Sequence, residues 1–297
     1  MKVVFHFDGS DALRAKLGEV ILCPESDAVA FERLLPEMEV LWHVLKPVTA
    51  EVIARAPKLK LIQKIGSGVN TIDVEAAKRR GIAVCNLPGT NSRAVAEMTL
   101  LLMLACLRRL RNLDELVRKA DWRAAWDLQD RFGELGGRTV GLIGYGEVAK
   151  ILHPILEALG ANVVYWSRSR RNTQLAELMS RADIVSLHLP LSAETERSFD
   201  PRHMKRGSIL INTARGALVN EDFLYEALKS GHLAAAGLDV FPQEPPRSEH
   251  PLLKLSNVVC SPHLAWLTVE TLERSIATAT QNVERLRAGK PLLHRVG

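Results

Sequence analysis

A chain of 297 residues is long enough for two domains, and 47% hydrophobic with 25% charged residues is the composition of a folded globular protein, not of a disordered or collagen-like one. The net charge of +5 is mild and spread along the sequence, whereas a nucleic-acid binder gathers its excess into a stripe, so no nucleic-acid partner is expected. Cys23, Cys85, Cys106 and Cys260 are far apart and form no CxxC pair, which argues against a disulfide framework and against a zinc site, and fits a reducing compartment.

The N-terminal Met1-Lys2-Val3-Val4-Phe5-His6-Phe7 reaches Asp8 too soon for the apolar core of a signal peptide and reads as a first strand. Further strands are expected at 40–44, 61–65 and 83–85, with helices around 27–35, 49–56 and 73–80. Thr49 suits a helix N-cap and Gly81 the residue after a helix end. This alternation predicts a parallel sheet covered by helices. Pro88-Gly89 marks a break, and 92–110 then reads as one long, largely buried helix. Its longest uncharged apolar run, Met98 to Leu107, is about half a membrane span, so a cytoplasmic protein with no membrane partner is expected. The charged segment 111–134 carries Trp122 and Trp126, aromatics that suit either an interface or ordinary packing. From Thr139 the rhythm restarts, with strands expected at 139–143, 162–166, 184–187, 208–211, 235–238 and 258–260. A last helix carries Leu272, Ile276, Ala279, Val283 and Leu286 as one apolar stripe and ends near Gly289. Its return to the N-terminal domain would make that domain discontinuous.

Val140 to Ala149 contains Gly144-Tyr145-Gly146-Glu147-Val148-Ala149, a G-x-G-x-x-A motif that follows a predicted strand and opens a helix, as dinucleotide binding requires. Gly144 permits the tight turn, Gly146 lets the backbone approach a pyrophosphate, and the helix N-terminus attracts the phosphates. Pro154 is expected to kink this helix. Ser167 lies 23 positions after Gly144, where NAD enzymes place an acid for the ribose hydroxyls. The chain instead offers Ser167, Arg168 and Ser169 followed by Arg170 and Arg171, with no acid between Glu157 and Glu177. Hydroxyls and guanidinium groups suit a ribose phosphate, so NADP is expected over NAD, with NAD kept as the alternative.

Three later strand ends each carry one ionisable tip residue: Arg215 in 211–216, Glu244 in 237–246 and His263 in 261–266. Arginine pairs with a carboxylate, histidine exchanges protons near neutrality, and a neighbouring carboxylate orients that histidine. With these motifs the chain resembles the D-isomer-specific 2-hydroxyacid dehydrogenases, most nearly their NADP-linked glyoxylate and hydroxypyruvate reductases. The Lys64–Asp73 and Asn86–Glu97 segments match as well, so the likeness spans nearly the whole sequence.

The resemblance implies an α/β fold of two Rossmann-like, doubly wound parallel-sheet domains with a cleft between them. Residues 1–90 plus 270–297 would form the substrate (flavodoxin-like) domain and 91–269 the dinucleotide-binding domain. It implies that Arg215 clamps the substrate, that His263 is the general acid–base and that Glu244 is its partner. Ser67, Gly68 and Val69 would hold the substrate carboxylate through backbone N–H groups. Asp239 would meet the nicotinamide carboxamide, and Thr99, Pro190, Thr195, Thr213, Ala214 and Ala265 would line the cofactor. The implied reaction is NADPH-dependent reduction of a small 2-keto acid to the 2-hydroxy acid, in a homodimer and without a metal. The alternatives are an NAD-linked dehydrogenase of other substrate range and a non-enzymatic dinucleotide-sensing protein.

Overall fold

In the computed structural model the described residues are 1–169 and 172–296, so Arg170 and Arg171 of the basic cluster lie outside the described residues. The chain divides into two compact units, Met1–Asn91 with Leu267–Gly297, and Ser92–Trp266.

The first unit begins with β1 (Val3–His6), α1 (Asp11–Lys16), β2 (Ile21–Cys23), α2 (Ala28–Leu34), β3 (Val40–His43), α3 (Ala50–Ala54), β4 (Leu61–Lys64), α4 (Val74–Arg79) and β5 (Ala83–Cys85). Its five strands are all parallel in the order β2-β1-β3-β4-β5. Every residue of β1, β3, β4 and β5 is buried. Helices cover both faces of a parallel sheet, so these strands are mostly apolar without alternation, and their polar members His6, His43, Gln63 and Lys64 are buried as well. Ser10, Asp27, Thr49 and Asp73 each cap a helix by accepting a backbone N–H. The core on the α2–α4 side contains Phe31, Leu35, Met38, Leu41, Ile53 and Ile62.

The second unit comprises α5 (Ser92–Leu107), α6 (Leu110–Arg118), α7 (Trp122–Trp126), β6 (Thr139–Ile143), α8 (Glu147–Ala158), β7 (Asn162–Trp166), α9 (Leu175–Arg181), β8 (Ile184–Leu187), β9 (Ile209–Asn212), α10 (Glu221–Lys229), β10 (Ala235–Leu238) and β11 (Val258–Cys260). Its six parallel strands run β11-β10-β9-β8-β6-β7. Successive connections leave β6 in opposite directions, first to β7 and then to β8. The carboxyl ends of β6 and β8 therefore flank the switch point where such sheets bind ligands. The apolar helix α5 ends at Leu107, three residues before the expected end, and buries Ala96, Leu102, Met103 and Cys106 against this sheet. Helix α8 runs unbroken through Pro154, so the proline does not end it. Gly81, Gly160, Gly231 and Gly289 all adopt positive φ just after helices.

Helix α11 (Val269–Arg287) belongs to the first unit. Asn282, fully buried, donates to Gln63 Oε1 of β4 at 2.7 Å and accepts from Leu293 N at 2.8 Å. The deepest face of this helix is Thr271, Ser275, Ala279, Asn282 and Val283, whereas Leu272, Ile276 and Leu286 flank it half-buried. The expected apolar stripe is thus turned aside, because small and hydrogen-bonded polar side chains sit closest to the sheet.

Candidate active site

The dinucleotide turn is built by close approach. Gly144 has φ +94°, and a Cβ there would collide with the backbone of His188 and Leu189 at the end of β8. Only glycine allows the β6 and β8 ends to meet in this way. Gly146 is the N-cap of α8 and makes no side-chain cap, and a Cβ on it would meet nothing within 4 Å. Glycine at this point leaves a cradle in front of the N–H groups of Glu147 and Val148, which no helix can satisfy internally. A dinucleotide pyrophosphate fits that cradle. Glu147 turns its own carboxylate to Lys150 at 2.6 Å. Tyr145 stacks on Tyr165 with centroids 3.9 Å apart and meets His153 Nδ1 through its hydroxyl at 2.7 Å. Ala149 is fully buried, as close packing of α8 on the sheet requires.

Ser167, Arg168 and Ser169 follow β7. Arg168 pairs with Glu194 at 3.1 Å, an acid from the loop after β8 that the local sequence around Ser167 does not contain. In that loop Thr195 Oγ1 donates to the Pro190 carbonyl at 2.7 Å. Thr99 is fully buried in α5; its hydroxyl donates to Val95 O and lies 2.9 Å from Thr213 Oγ1, so it braces the end of β9.

The three ionisable tips leave strands held in one register. Asn212 of β9, Leu238 of β10 and Cys260 of β11 are direct neighbours across the ladder. Arg215 follows the first by three residues and His263 the third by three. Asn212, 2% exposed, braces its loop by donating to the Arg215 carbonyl at 2.9 Å and accepting from Ala214 N at 3.1 Å. A Cβ on Gly216 would strike the backbone of Phe241 and Pro242, so glycine lets the arginine loop press against the glutamate loop. Arg215 donates to the Ala214 carbonyl at 2.6 Å; burial lowers its pKa and Glu244 opposes that shift.

Glu244 Oε2 lies 2.6 Å from His263 Nδ1, and Glu244 Oε1 accepts from Phe241 N at 2.9 Å. Both side chains are partly sheltered, with 30% and 17% exposed. Burial raises the Glu244 pKa, but hydrogen bonds and charge from His263, with Phe241 N–H and Arg215, bring it below the usual carboxylate value. With Nδ1–H given to the carboxylate, Nε2 is the ring nitrogen left to exchange a proton.

Asp239 has a part that sequence reasoning did not assign. It is 1% exposed, and its two oxygens accept from Leu264 N and Ala265 N at 3.0 Å each and from the Ser261 hydroxyl. Its carbonyl accepts from His263 N at 2.7 Å. It therefore clamps residues 261–265 and holds His263 at φ +55°. Burial raises its pKa and these hydrogen bonds oppose the rise.

In the first unit, Ser67 Oγ donates to the Leu87 carbonyl at 3.2 Å and the Ser67 carbonyl accepts from Asn86 Nδ2 at 2.8 Å. Among the described residues no hydrogen bond within the protein uses the N–H of Ser67, Gly68 or Val69. The described residues include no helix long and apolar enough to cross a membrane.

Residues 100–265 match the family model of the D-isomer specific 2-hydroxyacid dehydrogenase NAD binding domain. A glyoxylate reductase of Korarchaeum cryptofilum is 36% identical over 281 residues, covering 90% of this chain and 85% of its own. A hydroxypyruvate reductase of Blautia hydrogenotrophica is 30% identical, covering 93% of this chain and 91% of its own. The crystal structure of the TT0316 protein from Thermus thermophilus superposes with a TM-score of 0.88 at 35% identity, over all of both chains. The chain belongs to the D-isomer specific 2-hydroxyacid dehydrogenases, oxidoreductases that use a nicotinamide dinucleotide.

Proposed function

We propose that this enzyme reduces a small 2-keto acid of the glyoxylate or hydroxypyruvate type to the D-2-hydroxy acid, with NADPH as the preferred coenzyme. The observation that carries the chemistry is the His263–Glu244 pair at 2.6 Å beside the half-buried Arg215. The reduced nicotinamide, when bound, supplies hydride to the carbonyl carbon. His263 gives the proton that the developing alkoxide needs, from Nε2. Glu244 fixes the ring by its contact with Nδ1. Arg215 orients the substrate carboxylate and stabilises the developing oxyanion, an effect of about 3 kcal/mol in comparable sites. The N–H groups of Ser67, Gly68 and Val69, which have no hydrogen-bond partner among the described residues, are read as further donors to the carboxylate.

The preference for NADPH rests on Ser167 and Arg168, at a position where an acid would repel a 2′-phosphate. The cradle over Gly146, with Glu147 and Val148, would receive the pyrophosphate. Asp239, Ala214, Ala265, Thr213, Pro190 and Thr195 are read as the supporting wall, with Thr99 acting through Thr213. Trp122 and Trp126, 70% and 71% exposed on α7, support a homodimer formed through this projection. The free thiols favour a reducing, cytoplasmic setting.

The test is steady-state kinetics with glyoxylate, hydroxypyruvate, pyruvate and bulkier 2-keto acids, each with NADPH and NADH. A higher kcat/KM with NADPH for the two smallest acids supports the reading; a preference for NADH or for bulky acids overturns it. Arg168→Ala should weaken NADPH by about ten-fold or more and spare NADH.

A further inference from the structure

On the reading that NADPH is preferred, we infer that Glu194 is a cofactor-specificity residue: it holds Arg168 in the free enzyme and competes with a ribose 2′-phosphate for that guanidinium. The inference starts from strand order. Strands β7 and β8 flank β6 on opposite sides, so the loops at their carboxyl ends stand on either side of the Gly144 turn. Arg168 comes from one loop and Glu194 from the other, and they meet at 3.1 Å with 71% and 74% of their side chains exposed. Sequence offers no acid between Glu157 and Glu177, and the fold brings one in from further along the chain.

The backbone under Glu194 is fixed while its side chain is not. Thr195 Oγ1 donates to Pro190 O at 2.7 Å and accepts from Ser192 N at 2.8 Å, and Glu196 N donates to Ser192 O at 2.9 Å. The carboxylate can therefore turn about its own side-chain bonds without moving the loop. An exposed carboxylate–guanidinium pair is weakly held. A phosphate dianion accepts from the same planar fork with more charge and displaces it. An unphosphorylated ribose has no such claim on Arg168, and a carboxylate at this place can accept from its hydroxyl. Glu194 thus makes NADPH binding break a pair that NADH leaves intact, and it narrows the gap between the two coenzymes.

The probe is adenosine 2′,5′-bisphosphate, which carries the 2′-phosphate without the nicotinamide, titrated by calorimetry alongside NADH into wild type, Glu194→Gln, Arg168→Ala and the double variant. Glu194→Gln should tighten the bisphosphate about 3- to 10-fold and leave NADH unchanged or slightly weaker. In the Arg168→Ala background the gain should shrink below about two-fold, because there is no guanidinium to release. An unchanged bisphosphate affinity in Glu194→Gln, or an equal gain with and without Arg168, overturns the role of Glu194. If Arg168→Ala itself leaves the bisphosphate affinity unchanged, the NADPH reading fails first. Glu194→Ala, measured in the same way, should repeat the gain and so separates loss of charge from any new contact of the glutamine amide.

Discussion

His6 couples the stability of the first unit to pH. The ring closes β1 with 2% exposure, stacks on Phe31 at 3.9 Å with 7° between planes, and leaves Nε2 without a partner among the described residues. Its register neighbours are Cys23 on β2 and His43 on β3, and Lys46 and Asp8 act on it by charge. Burial, reinforced by Lys46 and opposed by Asp8, lowers its pKa from 6.5 to about 4. At about 1.4 kcal/mol per unit, that difference is worth about 3 kcal/mol. Above pH 6.5 the imidazole is neutral in both states and the full stability is present. As the pH falls from 6.5 towards 4, the unfolded chain takes up a proton that the folded chain refuses, so stability drops, and below about 4 this contribution is flat. Against a net stability on the order of 10 kcal/mol, the loss is large. His6→Leu removes the titration and keeps an apolar side chain on Phe31. Urea unfolding of both proteins, followed by circular dichroism from pH 4 to 8, isolates His6, because His43 and His188 contribute to both curves. The difference in stability should move by about 3 kcal/mol in favour of the variant between pH 7 and pH 4. Parallel curves would refute the reasoning.

Three further outcomes are expected. Glu244→Gln keeps the shape of its side chain but sets an amide in place of the carboxylate on His263 Nδ1, so kcat for reduction should fall about ten-fold or more while coenzyme affinity is kept; an unchanged kcat would remove Glu244 as the partner of His263. Arg215→Lys keeps the charge and loses the fork, so both kcat and kcat/KM should fall and oxamate should bind the coenzyme-saturated enzyme about 10- to 100-fold more weakly, measured by calorimetry. Gly146→Ala should leave the thermal midpoint within a few degrees while weakening dinucleotide binding at least ten-fold, whereas Gly144→Ala should lower the midpoint itself, because its Cβ meets the His188 backbone.

The parallel-sheet plan is legible because strands covered on both faces are mostly apolar and show no alternation, as in Val40–His43 and Ile184–Leu187, where His43 and Ser186 are the polar exceptions and are buried too. β2 is not: three residues at a sheet edge, Ile21–Cys23, carry too short a pattern, and α1 buries only Leu13. Arg215, Glu244 and His263 stand out in sequence because each follows an apolar run at a strand end, and they do come from adjacent strands. The Arg168–Glu194 pair does not, since it depends on which strands lie beside β6. Asp239 was legible as a site residue, but its clamp on residues 261–265 is a matter of two carboxylate oxygens finding backbone donors 25 and 26 positions away. The polar face of α11 escaped for a similar reason: an apolar stripe predicts burial by hydrophobicity, and Asn282 is buried by its hydrogen bonds.

The left-handed backbone at His263 also narrows what chemistry this place in the chain could ever host. At φ +55° most side chains are disfavoured, and among non-glycine residues asparagine, aspartate and histidine are the ones enriched there. Glycine has no side chain to offer and asparagine does not titrate. Aspartate would add a second negative charge beside Glu244. A lysine, tyrosine or glutamate recruited here as a proton donor would carry a backbone cost of about 1 kcal/mol, of the kind that Arg109, Ala120 and Arg197 carry elsewhere in the chain. The backbone therefore weights the candidates before any substrate arrives, and it favours imidazole among the proton-exchanging groups.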